Sequence, residues 1–367
     1  MKIIDETLEP FEVSYPAERL GDPEKLLFVD IETTGFTAHS SNLYLIGTAF
    51  YREGHWCTRQ WFAENFEEEP ELLKAFFAFA HDFDTLVHYN GNQFDLPYLT
   101  QKCKQYDIEE TFDAFQGVDL YRRINTCRHV LKLSNCKQKT LELFLGIGRT
   151  DTFTGGDLIG IYRDYVNDPT DFAYDTLLLH NEDDLKGMLQ ILPMLSYYDL
   201  FFGEVIARRA ELVTYRDYSG QQRKEILITI QPPTTIPVEF SASTSGCYLH
   251  ASPEKTELRV PLTTEEMKYF YADYKEYYYL PDEDLALHKS VATFVDKDHR
   301  VQATAANCYT RKVSDYLPQW DYLFSPIFRK DYHSREMYFE LTEDFKRNKA
   351  GFSDYASHVL RHILESY

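Results

Sequence analysis

Asp30 and Glu32 stand two positions apart in Leu27-Phe28-Val29-Asp30-Ile31-Glu32-Thr33-Thr34-Gly35, an apolar run that ends in a turn. Side chains alternate faces along a strand, so both carboxylates point the same way, about 6–7 Å apart. Acids side by side on a buried strand repel each other unless a cation sits between them, and a hard ion such as Mg²⁺ suits oxygen donors. The other reading is a strand that simply ends, with both acids wetted at its tip. Two later stretches bear on the choice. In His88-Tyr89-Asn90-Gly91-Asn92-Gln93-Phe94-Asp95-Leu96-Pro97 a strand runs into a turn, and Asp95 opens a helix as a ligand or as its N-cap. In Leu179-His180-Asn181-Glu182-Asp183-Asp184-Leu185, His180 and Asp184 lie one helical turn apart on one face, as reactive groups or as part of a solvated acidic surface.

In this order and at this separation the three stretches resemble the signatures of the DEDD superfamily of 3′–5′ exonucleases. Asp30 through Gly35 meet Asp-x-Glu-Thr-Thr-Gly, Asn90, Phe94 and Asp95 meet the second signature, and His180 and Asp184 fill Tyr-x-x-x-Asp in spacing. The run Phe94-Asp95-Leu96-Pro97-Tyr98-Leu99 is also similar to the proofreading domains of family B DNA polymerases. The segment from Thr140-Leu141-Glu142 to Gly155-Gly156 is similar to a YprB-like branch. The resemblance covers about residues 26–200 and implies an RNase H-like fold. It implies that Asp30, Glu32, Asp95 and Asp184 hold two Mg²⁺ or Mn²⁺ ions about 3.5–4 Å apart, with His180 accepting a proton from the attacking water. The implied activity is stepwise release of nucleoside 5′-monophosphates from single-stranded 3′ ends of DNA or RNA. Thr33, Asn90 and Phe94 would line the terminal nucleotide. One departure stands out: members with a reactive histidine place it five positions before the aspartate, whereas this chain has histidine at the four-residue spacing of tyrosine. Asp183 is therefore a substitute candidate for Asp184. The competing expectations are a structure-selective endonuclease and a non-catalytic nucleic-acid or protein-binding module on a nuclease fold.

The elements that must position these groups follow from periodicity. Strands are expected at about 26–32, 43–51, 55–62, 85–89 and 118–120, after an irregular lead-in over 1–25 that carries Pro10, Pro16 and Pro23. Helices are expected at about 68–81, from Asp95 onward, and at 121–131, 139–145, 156–167 and 171–196. The fold class expected is α/β, a mixed five-stranded RNase H-like sheet flanked by helices over 26–203. An α+β accessory region over 204–367 completes the chain. In that region a hairpin is expected around the turn Tyr218-Ser219-Gly220-Gln221, then strands at about 236–242, 246–251 and 257–261. A helix is expected at 264–279 from the capping-box pair Thr263 and Glu266, and a last one at 353–366 capped by Ser353.

Composition narrows the function classes. The formal charge is −21, which disfavours indiscriminate binding to phosphate backbones or anionic membranes. Residues 120–139 depart from this, with Arg122, Arg123, Arg128, Lys132, Lys137 and Lys139 and no acid; the segment carries +6 and the rest of the chain −27. Arg122, Arg123 and Arg128 are thus expected to contact nucleic acid. The tyrosines of 269–279 are expected to pack within an amphipathic helix rather than stack bases. Six scattered cysteines without a Cys-x-x-Cys pair, an acidic N-terminus without an apolar signal core and no membrane-length apolar run lead to the expectation of a cytoplasmic protein.

Overall fold

A computed structural model describes residues 1–11, 13–148 and 155–367. The chain divides into two units. The first comprises 1–199 with 234–238, and the second 200–233 with 239–367.

The first unit is built on a six-stranded mixed sheet. In chain order its strands are β1 (Lys2–Thr7), β2 (Leu26–Thr33), β3 (Leu43–Arg52), β4 (His55–Phe62), β5 (Thr85–His88) and β6 (Gln116–Asp119). The spatial order is β1-β4-β3-β2-β5-β6, with β2 antiparallel to β3 and parallel to β5. The five expected strands are joined by a sixth, β1. Lys2–Thr7 lies upstream of the three prolines of the lead-in and pairs with β4, from Lys2 opposite Phe62 to Thr7 opposite Cys57.

Helices cover both faces. Leu27, Val29 and Ile31 of β2 pack into a core with Leu72, Leu73, Phe76 and Phe77 of α1 (Glu69–Ala80) and Tyr98 and Leu99 of α2 (Asp95–Gln105). A short α3 (Leu120–Asn125) and α4 (Gln138–Phe144) precede α5 (Gly155–Asn167) and α6 (Asp171–Gln190). On the other face, Tyr44, Leu45 and Phe62 meet Tyr162 and Tyr165 of α5 and Leu177 of α6. The period of two therefore decides the chemistry: odd residues of β2 face the α1–α2 core, so Asp30 and Glu32 face away from it. The helix expected over 121–131 ends at Asn125, and the chain then turns, with Lys132 at φ 57°. The helix expected over 171–196 ends at Gln190.

The second unit is β-rich. Thr256–Phe270 is its central strand, pairing along its first half with Gln222–Gln231 and Cys247–Ala251 and along its second half with Tyr309–Gln319. The helix expected over 264–279 is absent: those residues finish this strand, pass a 3₁₀ turn and begin another, Tyr277–Leu280. Buried positions shift from Leu258, Val260 and Leu262 to Met267, which blurs the alternation, while Thr, Tyr and Phe favour the pleated surface that cross-strand pairing supplies. Lys349–Glu365 forms the last helix; Asn348 rather than Ser353 caps it, accepting from the Gly351 amide at 2.9 Å. No helix among the described residues is long and apolar enough to cross a membrane.

Candidate metal and nucleic-acid site

Asp30 sits on β2 opposite Gly47 of β3, and Glu32 opposite Leu45. The β2–β3 register shifts immediately after Glu32, so the strand presents both acids and then bends away into the Thr33–Gly35 turn. α6 lies on the acids' side of the sheet and contributes the opposing groups. His180 Nε2 is 3.4 Å from Asp184 Oδ2 and 3.7 Å from Glu32 Oε1. Ligand atoms of Glu32, His180 and Asp184 all fall within 4.8 Å of one another, and that constellation contains Asp184, not Asp183.

Asp30 completes the cluster electrostatically. Its carboxyl is held well above the usual range, first by burial and then by the negative charges of Asp184, Glu32 and Asp95. An amide opposes that shift: Asn181 Nδ2 donates to Asp30 Oδ2 at 2.8 Å. Asp95 is the first residue of α2, and Phe94, not Asp95, occupies the N-cap position. Burial pushes the Asp95 carboxyl up to about 7, against backbone hydrogen bonds from Ile31 and its own amide; Asp119 adds to the rise. Neither Asp30 nor Asp95 meets a cationic side chain among the described residues.

Asn181 is the group that motif reading misses. Its carbonyl accepts from Gln60 Nε2 of β4 at 2.9 Å, and the same amide nitrogen of Gln60 donates to Leu178 O at 2.9 Å. The side chain therefore bridges β2, β4 and α6. Gly47 makes the approach feasible, because a Cβ there would stand 1.8 Å from Asn181 Oδ1. Two further groups orient the acids: the Tyr44 hydroxyl donates to Glu32 Oε2 at 3.5 Å, and Gln138 Nε2 to the Asp184 backbone carbonyl at 2.8 Å.

The loop that delivers Asp95 is fixed in a similar way. Asn90 takes φ 62°, and its amide donates to Asp119 Oδ1 at 3.1 Å. The Gly91 amide donates to His88 Nδ1 at 3.1 Å, and a Cβ on Gly91 would stand 2.7 Å from the imidazole. The Thr33 hydroxyl is turned onto the Gly35 carbonyl at 2.9 Å. Phe94 packs edge-on against Phe36, which is 89% exposed in the turn after Thr33.

The three arginines separate. Arg128 clamps its own loop, donating through Nη2 to Ser134 O at 2.6 Å and through Nε to Leu133 O. Arg122 and Arg123 instead line a cavity beside the Asn90–Asp95 loop.

Residues 27–196 match the RNase_H_2 model of the RNase_H superfamily, and the fold of this unit is RNase H-like. The DNA polymerase of Ostreid herpesvirus 1 (isolate France) is 38% identical over 53 residues, 14% of this chain and 3% of that polymerase. Among solved structures, the family B DNA polymerase of the archaeon Pyrobaculum calidifontis is similar at 14% identity and TM-score 0.38, over 70% of this chain and 35% of that one. A zinc-bound complex of Escherichia coli ExoI with single-stranded DNA is similar at 13% identity and TM-score 0.28, over 56% and 54%. The chain spans less than two thirds of each of these proteins.

Proposed function

We propose that the chain is a metal-dependent nuclease, a 3′–5′ exonuclease of the DEDD type, in a YprB-like branch, acting on single-stranded ends of DNA or RNA. The observation that carries the reading is the convergence on Asp30. Ligand atoms of Glu32 on β2 and of His180 and Asp184 on α6 lie within 4.8 Å of one another, Asn181 of α6 reaches Asp30 at 2.8 Å, and burial first, then the charges of Asp184, Glu32 and Asp95, hold the Asp30 carboxyl above its usual range. Such a site fits a divalent cation, and its oxygen donors suit Mg²⁺ or Mn²⁺.

Asp30, Glu32, Asp95 and Asp184 would hold the ions. When bound, these supply a water made acidic enough to attack phosphorus and a positive charge for the departing 3′ oxygen. The chain's own residues do the rest. Asn181 donates to Asp30 Oδ2 and so orients its carboxylate. His180, its Nε2 between Glu32 and Asp184, accepts the proton of the attacking water. Exposed Phe36, with half-buried Phe94 edge-on against it, offers an aromatic wall for the terminal base; Thr33 and Asn90 belong to the turns on either side of it.

The test is hydrolysis of oligonucleotides labelled at the 5′ or the 3′ end, in DNA and RNA series, with Mn²⁺ or Mg²⁺. The reading expects a 3′-label released as a mononucleotide and a 5′-labelled ladder shortening from its 3′ side, both lost in Asp30→Asn. Internal cuts would select the endonuclease alternative. Unchanged substrate with every metal would select a binding module.

A further inference from the structure

The first unit carries −17, although residues 120–139 within it carry +6. The net charge of this unit repels a polyanion, and the basic segment runs against it. Two of the basic groups there, Arg122 and Arg123, make no ion pair among the described residues. A cavity of about 340 Å³ is lined by Asn92, Gly117, Asp119, Arg122, Arg123, Thr126 and Tyr198. Arg122 and Arg123 face no carboxylate partner among the described residues, in contrast to Arg128, whose guanidinium is occupied by carbonyls. Arg123 lies over the Tyr198 ring at 5.8 Å, which holds the guanidinium by its face and leaves its edge donors available.

The cavity's carboxylate, Asp119, is committed elsewhere. Its Oδ1 accepts from the Asn90 and Arg122 amides at 3.1 Å each, and the residue is 7% exposed. This hydrogen bonding ties the cavity to the acid centre. Asp119 pins the turn that leads to Asp95 and raises the Asp95 carboxyl through space, and Asn92 of the cavity is three residues from Asp95.

We propose that this cavity anchors a phosphodiester of the substrate strand away from the scissile bond, with Arg122 and Arg123 as its donors. The site rests on the nuclease reading for its role, although not for its affinity. Guanidinium pairs match phosphate geometry in a way that a diffuse positive field does not. The strand is therefore held at two places, by its reacting end at the acids and by an internal phosphate here.

The experiment is fluorescence anisotropy of a 5′-labelled thymidine 12-mer with the full-length, metal-free protein across a salt series. In Arg122→Gln/Arg123→Gln, affinity at low salt is expected to fall about tenfold or more. The slope of log K against log salt is expected to become shallower by about 1.4, the value for two contacts at about 0.7 each on a single strand. Thr126→Glu, which sets a carboxylate on the exposed rim, is expected to weaken binding similarly, so the conclusion does not depend on one variant folding. Lys132→Asn/Lys137→Gln removes equal charge from the same segment outside the cavity and is expected to change affinity less than threefold. Equal losses in the arginine and lysine pairs would reduce the cavity to a general field and overturn the proposal, as would a wild type that does not bind. Binding lost with the arginines in a protein that hydrolyses nothing would leave the anchor standing and sink the nuclease reading instead.

Discussion

Two buried acidic sites in the first unit show opposite solutions to the same problem. Glu69, at the start of α1, has no solvent exposure, yet it is fully provided for: Lys102 Nζ lies 2.8 Å away, the Leu43 amide donates at 2.6 Å, and the Tyr106 hydroxyl donates as well. Asp30 is answered by one amide and three other acids. Burying a charge without a partner is costly, and a chain that supplies a lysine at one such place and more carboxylates at another is using them differently. The first site holds α1 and α2 together. On the proposed reading, the second stores repulsion that an incoming cation would relieve.

The sharpest way to break this contrast is to remove one acid from each. Asp30→Asn is expected to lower hydrolysis by roughly 10²–10³-fold or more, the scale of deleting one electrostatic stabiliser, while leaving the metal-free fold at least as stable as wild type. Added Mn²⁺ should raise the melting temperature of wild type and not of the variant. Hydrolysis that survives the substitution would remove the centre from the chemistry. Glu69→Gln is expected to do the reverse. It strands Lys102 and costs about 3–5 kcal/mol of stability in denaturant titration, with hydrolysis preserved at temperatures where the protein stays folded.

A smaller effect probes the connection between sheet and helix. Gly47→Ala drives a Cβ into Asn181, at an expected cost of about 1–3 kcal/mol, together with a fall in hydrolysis. Adding Asn181→Ala should restore stability without restoring hydrolysis, because the clash goes and the grip on Asp30 goes with it. If both return together, Asn181 is merely packing. The smallest effect concerns His88, buried beside Asp119, whose imidazole burial holds below its ordinary value of 6.5. Below pH 6.5 the unfolded chain binds the proton before the folded one, so the slope of stability against pH is positive there. Unfolding titrations at pH 7.5 and 5.5 should show wild type losing stability on acidification, and His88→Gln losing less.

The acids were legible because a strand's period of two and a helix's period near four are written locally. Asp30 and Glu32 share a face whatever the rest of the chain does, and His180 and Asp184 share another. Asn181 and Gln60 were not, because their meaning lies in a contact across 121 residues and in the missing side chain of Gly47, none of which leaves a local pattern. β1 escaped notice because an edge strand of the composition Lys-Ile-Ile-Asp-Glu-Thr offers little buried alternation; only its pairing with β4 defines it. The misread helix over 264–279 belongs to the same class, since acids and aromatics there satisfy either period until a partner strand chooses.

The hydrogen bond from Asn181 to Asp30 spans 151 positions. Closing so long a loop is entropically slow, and a chain emerging from the ribosome has β2 through β6 in hand well before α6 exists. A truncated or half-made chain would own Asp30, Glu32 and Asp95 but neither His180, Asp184 nor the amide that aims Asp30. On the proposed reading the centre stays incomplete until the unit is whole, which places the safety catch of the molecule in the order of its own synthesis.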